Sequence, residues 1–126
     1  MPWYYFSRTG KLYHEHQFIA KGYSGNTIGL NNPDFQWLPN TGPIPPGRYQ
    51  IGLPRNSATT GPFVLDLTPV DHSALGRRGF QIHGDNSLLN NTASKGCIIL
   101  KKSIREKIAN SGDDMLTVIG ARIISV

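Results

Sequence analysis

The sequence predicts a mainly β domain, a sandwich or barrel of short strands with one short helix. Three observations carry this. The 126 residues include 14 glycines and 9 prolines, the punctuation of many tight turns. Between the turns run about seven short segments rich in β-branched and aromatic residues, several with alternating polarity. Only one segment has helical spacing. The length suits a single domain, 1–126, able to hold a core without a disulfide or a structural metal.

The segments follow in order. "WYYFSR" (3–8) is aromatic and β-prone, "TGK" can turn, and "LYHEHQFIAK" (12–21) continues as the second arm of a hairpin. Residues 22–47 are dense in Gly, Asn and Pro and read as a long ordered loop, of the kind that is often functional. "RYQIGL" (48–53) is a strand and "PRNSATTG" (54–61) a loop. "PFVLDLTPV" (62–70) sets Phe63, Leu65 and Leu67 against Val64, Asp66 and Thr68, a strand period. "DHSALGRRG" (71–79) connects it, with room for one helical turn, to the short strand "FQIHG" (80–84). "CIIL" (97–100) begins a further buried strand. Ile104 and Ile108 lie four apart in "KKSIREKIANSG" (101–112), an amphipathic helix stopped by Gly112. Residues 114–126 read as a long or bent closing strand with a break at Gly120. The whole suggests a mainly antiparallel sheet. "GPIPPG" (42–47) is architecture: its prolines fix φ and stiffen the entry to "RYQIG".

Charge and composition narrow the function. The net charge of +5 attracts polyanions, but the basic residues are scattered. The densest group, Lys101, Lys102, Arg105 and Lys107, reads as the solvated face of the helix. No zinc-finger spacing, helix-turn-helix or RNA-recognition signature is present, so no nucleic-acid partner is expected. The single cysteine excludes an internal disulfide. The N-terminus lacks the pattern of a signal peptide, and no apolar run reaches a membrane span. The expectation is a monomer made soluble in the cytoplasm, carried elsewhere by some route other than general secretion. His14 and His16 flank Glu15 and would share one strand face, but no third ligand stands at a recognisable spacing. No metal and no cofactor are expected.

The chemistry concentrates between Phe80 and Leu100. His83 closes one apolar run, and Cys97 opens the next after the small turn Ser94-Lys95-Gly96. A thiolate is a nucleophile, and a neighbouring imidazole activates it. If the two short strands lie together, both side chains emerge at one edge. Gly84 permits a sharp turn after the histidine. Gly96 leaves backbone amides free to approach a substrate, as in an oxyanion hole. The alternative is a small buried thiol beside a hydrogen-bonded histidine.

"IHG…SKGC" with its following apolar run resembles the signature of the L,D-transpeptidase catalytic domain. "GYSGNTIGLNNP" followed by "GPIPPGRYQIG" resembles the L,D-transpeptidase-like effectors of bacterial type VI secretion. The resemblance spans roughly residues 20–100. Lys95 stands where the housekeeping enzymes carry a histidine, Ile99 where they often carry asparagine, and the loop from His83 to Ser94 is shorter than theirs. These departures fit the effector branch.

The resemblance implies an L,D-transpeptidase-like fold and an antibacterial toxin acting on peptidoglycan stem peptides in the periplasm of a target cell. Cys97 would attack the carbonyl between meso-diaminopimelate and D-alanine, with His83 as base and then acid. Water would complete an L,D-carboxypeptidase reaction; a D-amino acid acceptor would complete an exchange. The amides of Gly96 and Cys97 would form the oxyanion hole, and Ser94 would shape the turn or orient His83. It also implies a type VI delivery component and a cognate immunity protein over the cleft.

Four further residues are candidates for substrate binding, each with a plainer reading. Arg78 would grip a carboxylate, or be a solvated charge. Asp85 would orient the imidazole or hold an amine of the substrate, or merely close a turn. Tyr23 and Ser24 would line the cleft, or pack beneath the loop. The rival to an enzyme is a non-catalytic peptidoglycan-binding module using the same cleft.

Overall fold

The computed structural model describes residues 1–120. Among the described residues ten strands and one α-helix follow one another: β1 Trp3–Phe6, β2 Lys11–His14, β3 Gln17–Lys21, β4 Tyr23–Ser24, β5 Gly47–Ile51, β6 Arg55–Ser57, β7 Gly61–Val70, β8 Gln81–His83, β9 Ile98–Ile99, α1 Lys102–Asn110 and β10 Met115–Ile119. Short 3-10 turns occupy Thr27–Gly29, Pro33–Phe35 and Ala74–Gly76. The strands form one open sheet in the order β3-β2-β1-β10-β5-β7-β8-β9-β4, with β6 paired to β7. Most pairs are antiparallel. Two are parallel: β1 with β10, and β8 with β9.

β3 and β4 lie at opposite ends of that order, yet only Gly22 separates them in the chain. The sheet must therefore roll round its core until its two edges meet at one residue. The Gly22 N–H donates to the Gly10 carbonyl at 2.7 Å. A Cβ on Gly22 would overlap the carbonyl oxygen of Ile99 in β9. Glycine is used at this corner because backbone from the other end of the sheet occupies the space.

The core follows the period of the strands. Trp3 and Tyr5 of β1, Leu12 of β2, Tyr49 of β5, Leu65 of β7 and Leu116 of β10 are fully buried. Burying each such side chain contributes about 1.5–3 kcal/mol before entropy is counted. Ile108 of α1 joins this core, and the helix lies against β7 and β8.

The structure departs from the sequence reading in several places. Strands β4, β6 and β9 have two or three residues each, too few to show an alternation, so ten strands replace about seven. The second hairpin arm breaks at Glu15 and His16, whose φ values of 50° and 66° make a tight turn of the kind that suits a two-residue hairpin. His14 and His16 therefore do not share a strand face. His14 stacks on Trp3, ring centroids 4.0 Å apart, and its Nε2 meets Asp113 Oδ2 at 2.6 Å. Asp113 is a neighbour that spacing in sequence did not reveal, and its other oxygen accepts from the amino group of Met1. The closing strand is described only to Ile119; its expected continuation through residues 121–126 lies outside the described residues. Arg105, expected on a solvated helix face, is 4% exposed. Its guanidinium donates to the carbonyls of Pro62, Phe63 and Leu100.

Candidate active site

β8 and β9 lie side by side, with Ile82 opposite Ile98 and His83 opposite Ile99. One step back in this register, Gln81 stands beside Cys97. Strand side chains alternate between faces, so Gln81, His83 and Cys97 share one face. Ile82 and Ile98 point to the other and are fully buried. The two apolar residues thereby fix the direction in which the histidine and the thiol emerge. Both line a cleft of about 500 Å³.

The imidazole is held on one side. His83 Nδ1 lies 2.8 Å from the Gly84 carbonyl oxygen. A carbonyl only accepts, so the proton sits on Nδ1 and Nε2 is left as the acceptor. Burial pushes the His83 pKa below its ordinary value, and the nearby Arg105 cation adds to this; the Gly84 hydrogen bond and Asp85 oppose it. Burial also pushes the Cys97 thiol up, to about 11; the Gln81 N–H and Arg77 oppose that rise, and Asp66 adds to it. At neutral pH the resting pair is a neutral imidazole and a thiol, whose S–H points to the Gly79 carbonyl at 3.6 Å. The arrangement suits general-base activation of the sulfur rather than a resting ion pair.

The turn before Cys97 is fixed by buried polar groups. Ser94 is fully buried. Its hydroxyl accepts the amides of Gly25 at 2.8 Å and Gly96 at 3.1 Å, and donates to the Cys97 carbonyl at 2.5 Å. The Gly96 amide, expected to face a substrate oxyanion, is thus already engaged. Ser94 itself shapes the turn and makes no bond to His83. Asn26 holds the Ser94 carbonyl at 2.7 Å. Gly96 sits at φ +133°, and a Cβ there would come within 2.5 Å of Arg77 Nη2.

Two residues expected in the cleft lie beneath it. Ser24 is fully buried, with its hydroxyl donating to the Gly96 carbonyl at 3.2 Å and accepting from Ile44 N at 2.9 Å. Pairing of β4 with β9 pulls it under the turn, out of reach of any substrate. Tyr23 is 7% exposed; its hydroxyl donates to Asp85 at 2.7 Å and accepts from Ala93 N at 3.1 Å. Its pKa is pushed up to about 12 by burial and by the Asp85 carboxylate. Asp85 thus anchors Tyr23 and the Asn86 amide, and makes no hydrogen bond to His83. Arg78 does line the cleft.

Residues missed in the sequence complete the picture. Lys95 gives the cleft a second cation beside Arg78, and no carboxylate side chain lines it among the described residues. Gln81 and Thr60 form part of the wall, joined at 2.9 Å. Gln81 also donates to Asp66 at 3.1 Å, which Arg55 grips with two nitrogens. The position of Gln81, two before His83, was a signal available in the strand period. Arg77 had none: in "GRRG" the two arginines look alike, yet Arg78 is exposed and Arg77 is 9% exposed.

Comparison with known proteins adds the family. No curated protein matches the sequence. Two crystal structures of the helical cell shape determining protein Pgp2 from Campylobacter jejuni resemble the chain, each with a TM-score of 0.62. The unsubstituted form is 19% identical and a single-substitution mutant 20% identical. Each comparison covers 97% of this chain, against 48% and 47% of those chains. The chain thus spans about half the length of Pgp2, and at this identity the likeness is one of fold. The Tlde1 domain model matches residues 19–117, a stretch that holds the long loop, His83, Cys97 and the helix. The chain therefore belongs to the Tlde1 domain family, a family of type VI secretion effectors.

Proposed function

We propose that the protein is an antibacterial acyl-transfer enzyme that cleaves or exchanges the D-alanine of peptidoglycan tetrapeptide stems. The observation that carries this reading is that His83, on β8, and Cys97, immediately before the parallel strand β9, open into one cleft. His83 Nε2 takes the thiol proton as the sulfur attacks the carbonyl carbon between meso-diaminopimelate and D-alanine. The negative oxygen is met by the Cys97 N–H, because the Gly96 N–H is already given to Ser94. The tetrahedral intermediate collapses as the imidazolium returns its proton to the D-alanine amine, which leaves. The thioester is then resolved by water or by an incoming D-amino acid, whose proton passes to His83 before the thiol is regenerated. Arg78 and Lys95, unopposed by any lining carboxylate among the described residues, hold the carboxylates of the stem.

Membership of the effector family supports delivery through a type VI component into a target cell, with the periplasm as the site of action. No helix among the described residues is long and apolar enough to cross a membrane. A cognate immunity protein would act by covering the cleft around His83 and Cys97.

The test is digestion of purified muropeptides by the wild type and by Cys97→Ala, read by mass spectrometry. Loss of one D-alanine from tetrapeptides, or its replacement by an added D-amino acid, is expected with the wild type alone. Unchanged muropeptides from both would overturn the reading.

A further inference from the structure

We infer that Arg77 is the positioning residue of Cys97: its guanidinium ties down the turn that presents the thiol and sets an unneutralised positive charge beside the sulfur. The inference rests on the reading of Cys97 as nucleophile.

Arg77 is buried, and all its hydrogen bonds among the described residues go to neutral carbonyls. Nη1 donates to Gln36 at 2.6 Å and Pro43 at 2.8 Å. Nη2 donates to Gly42 at 3.0 Å and Lys95 at 3.1 Å. The guanidinium also sits over the Phe80 ring, 5.4 Å from its centroid. One side chain thus joins Gln36, Gly42 and Pro43 of the long loop to Lys95, two residues before Cys97. Gly96 leaves the space that Nη2 fills.

Buried cations ordinarily have a carboxylate partner, because removing a charge from water is costly. Here the fold accepts the cost and supplies only carbonyl dipoles. Arginine stays protonated under such conditions. The charge is therefore available to whatever anion forms next to it. Nη2 lies 2.5 Å from where a Cβ on Gly96 would stand and 3.1 Å from the Lys95 carbonyl oxygen, so the charge sits against the backbone that leads directly into Cys97.

The other charged and titratable groups around the thiol do not replace this role. His83 on β8 gains a proton as the sulfur loses one, and Arg105 beneath it disfavours that gain. Asp66 on β7 disfavours the thiolate but is held by Arg55 at 2.6 Å. Arg78 and Lys95 are exposed at the cleft, where water screens them. The Tyr49 hydroxyl donates to the Pro45 carbonyl at 2.7 Å, and burial raises its pKa still further above neutrality, so it stays uncharged. Arg77 alone is buried, cationic and attached to the turn.

The experiment separates charge from clamp. Arg77→Gln keeps amide donors for the carbonyls and removes the charge; Arg77→Lys keeps the charge and removes the fork. Cys97 alkylation by iodoacetamide at about pH 9 reports the thiolate fraction, which falls about ten-fold for each unit of thiol pKa. The expected result is a fall of about ten-fold or more in Arg77→Gln, with Arg77→Lys within about three-fold of the wild type. Thermal melts establish that each variant is folded. Equal rates in wild type and folded Arg77→Gln would overturn the inference, as would Arg77→Lys falling as far as Arg77→Gln. If Arg77→Gln does not fold, Arg77→Lys decides alone: retention supports the charge and a ten-fold loss refutes it. Muropeptide digestion by the wild type is run in parallel. Its failure would sink the catalytic reading, while an unchanged alkylation rate beside an active wild type would sink this inference only.

Discussion

The Ser94 hydroxyl donates to the Cys97 carbonyl at 2.5 Å while accepting the amides of Gly25 and Gly96. A residue three before Cys97 thereby sets its backbone and connects it to the start of the long loop. Ser94→Ala would leave two buried donors and one acceptor unpaired, a cost of about 3 kcal/mol. Urea unfolding should show that loss, and turnover should fall because the thiol is less well placed. An unchanged midpoint and slope would mean that the hydroxyl does not hold the turn.

The neutral resting pair sets a pH profile. With His83 as the proposed base, activity requires its unprotonated form, and its lowered pKa places the acid limb below the ordinary histidine value of 6.5. The rate should rise as pH climbs through that lowered pKa. It should then stay level until the thiol itself ionises, at about 11. A thiolate–imidazolium pair would behave in the opposite sense, losing activity when the imidazolium deprotonates. Measuring kcat/KM on tetrapeptide muropeptides from about pH 5 to about pH 9 separates the two, since only the ion pair gives a falling limb near neutrality.

Arg78 is exposed at the cleft, and its proposed work is binding rather than chemistry. Arg78→Ala should raise KM about ten-fold with kcat nearly unchanged, the pattern of a lost uniform interaction. A fall in kcat at constant KM would assign Arg78 to the transition state instead.

The rolled sheet makes its own demand. Gly22→Ala places a Cβ on the Ile99 carbonyl oxygen and should cost about 3 kcal/mol or more. Gly112→Ala is the control. Gly112 has φ +79° with nothing near its Cβ position, so only the backbone penalty of about 1–2 kcal/mol applies. Chemical denaturation of both variants compares them. Equal losses would mean that the two sheet edges do not meet at Gly22.

Much of this was legible in one dimension. The alternation in residues 62–70, the spacing of Ile104 and Ile108, and the density of glycine and proline determined a β domain with one helix. The "FQIHG" and "SKGC" segments offered His83 and Cys97 as candidates, and it was their resemblance to the L,D-transpeptidase signature, more than the neighbouring glycines, that paired them as base and nucleophile. Tertiary structure alone decided the rest. Strands of two or three residues form when a neighbour offers hydrogen bonds, and β4 and β9 find theirs in each other. Tyr23 and Ser24 sit on such a strand, and its pairing decided between their two readings, cleft lining and packing beneath the loop, in favour of the second. Arg77 and Arg78 differ only in the side of the chain from which they leave, and burial separates them. Arg105 looked like one charge among several on a polar face until three carbonyls closed around it. In each case the deciding partner lies far away in sequence, and residue type at a single position carries no record of it.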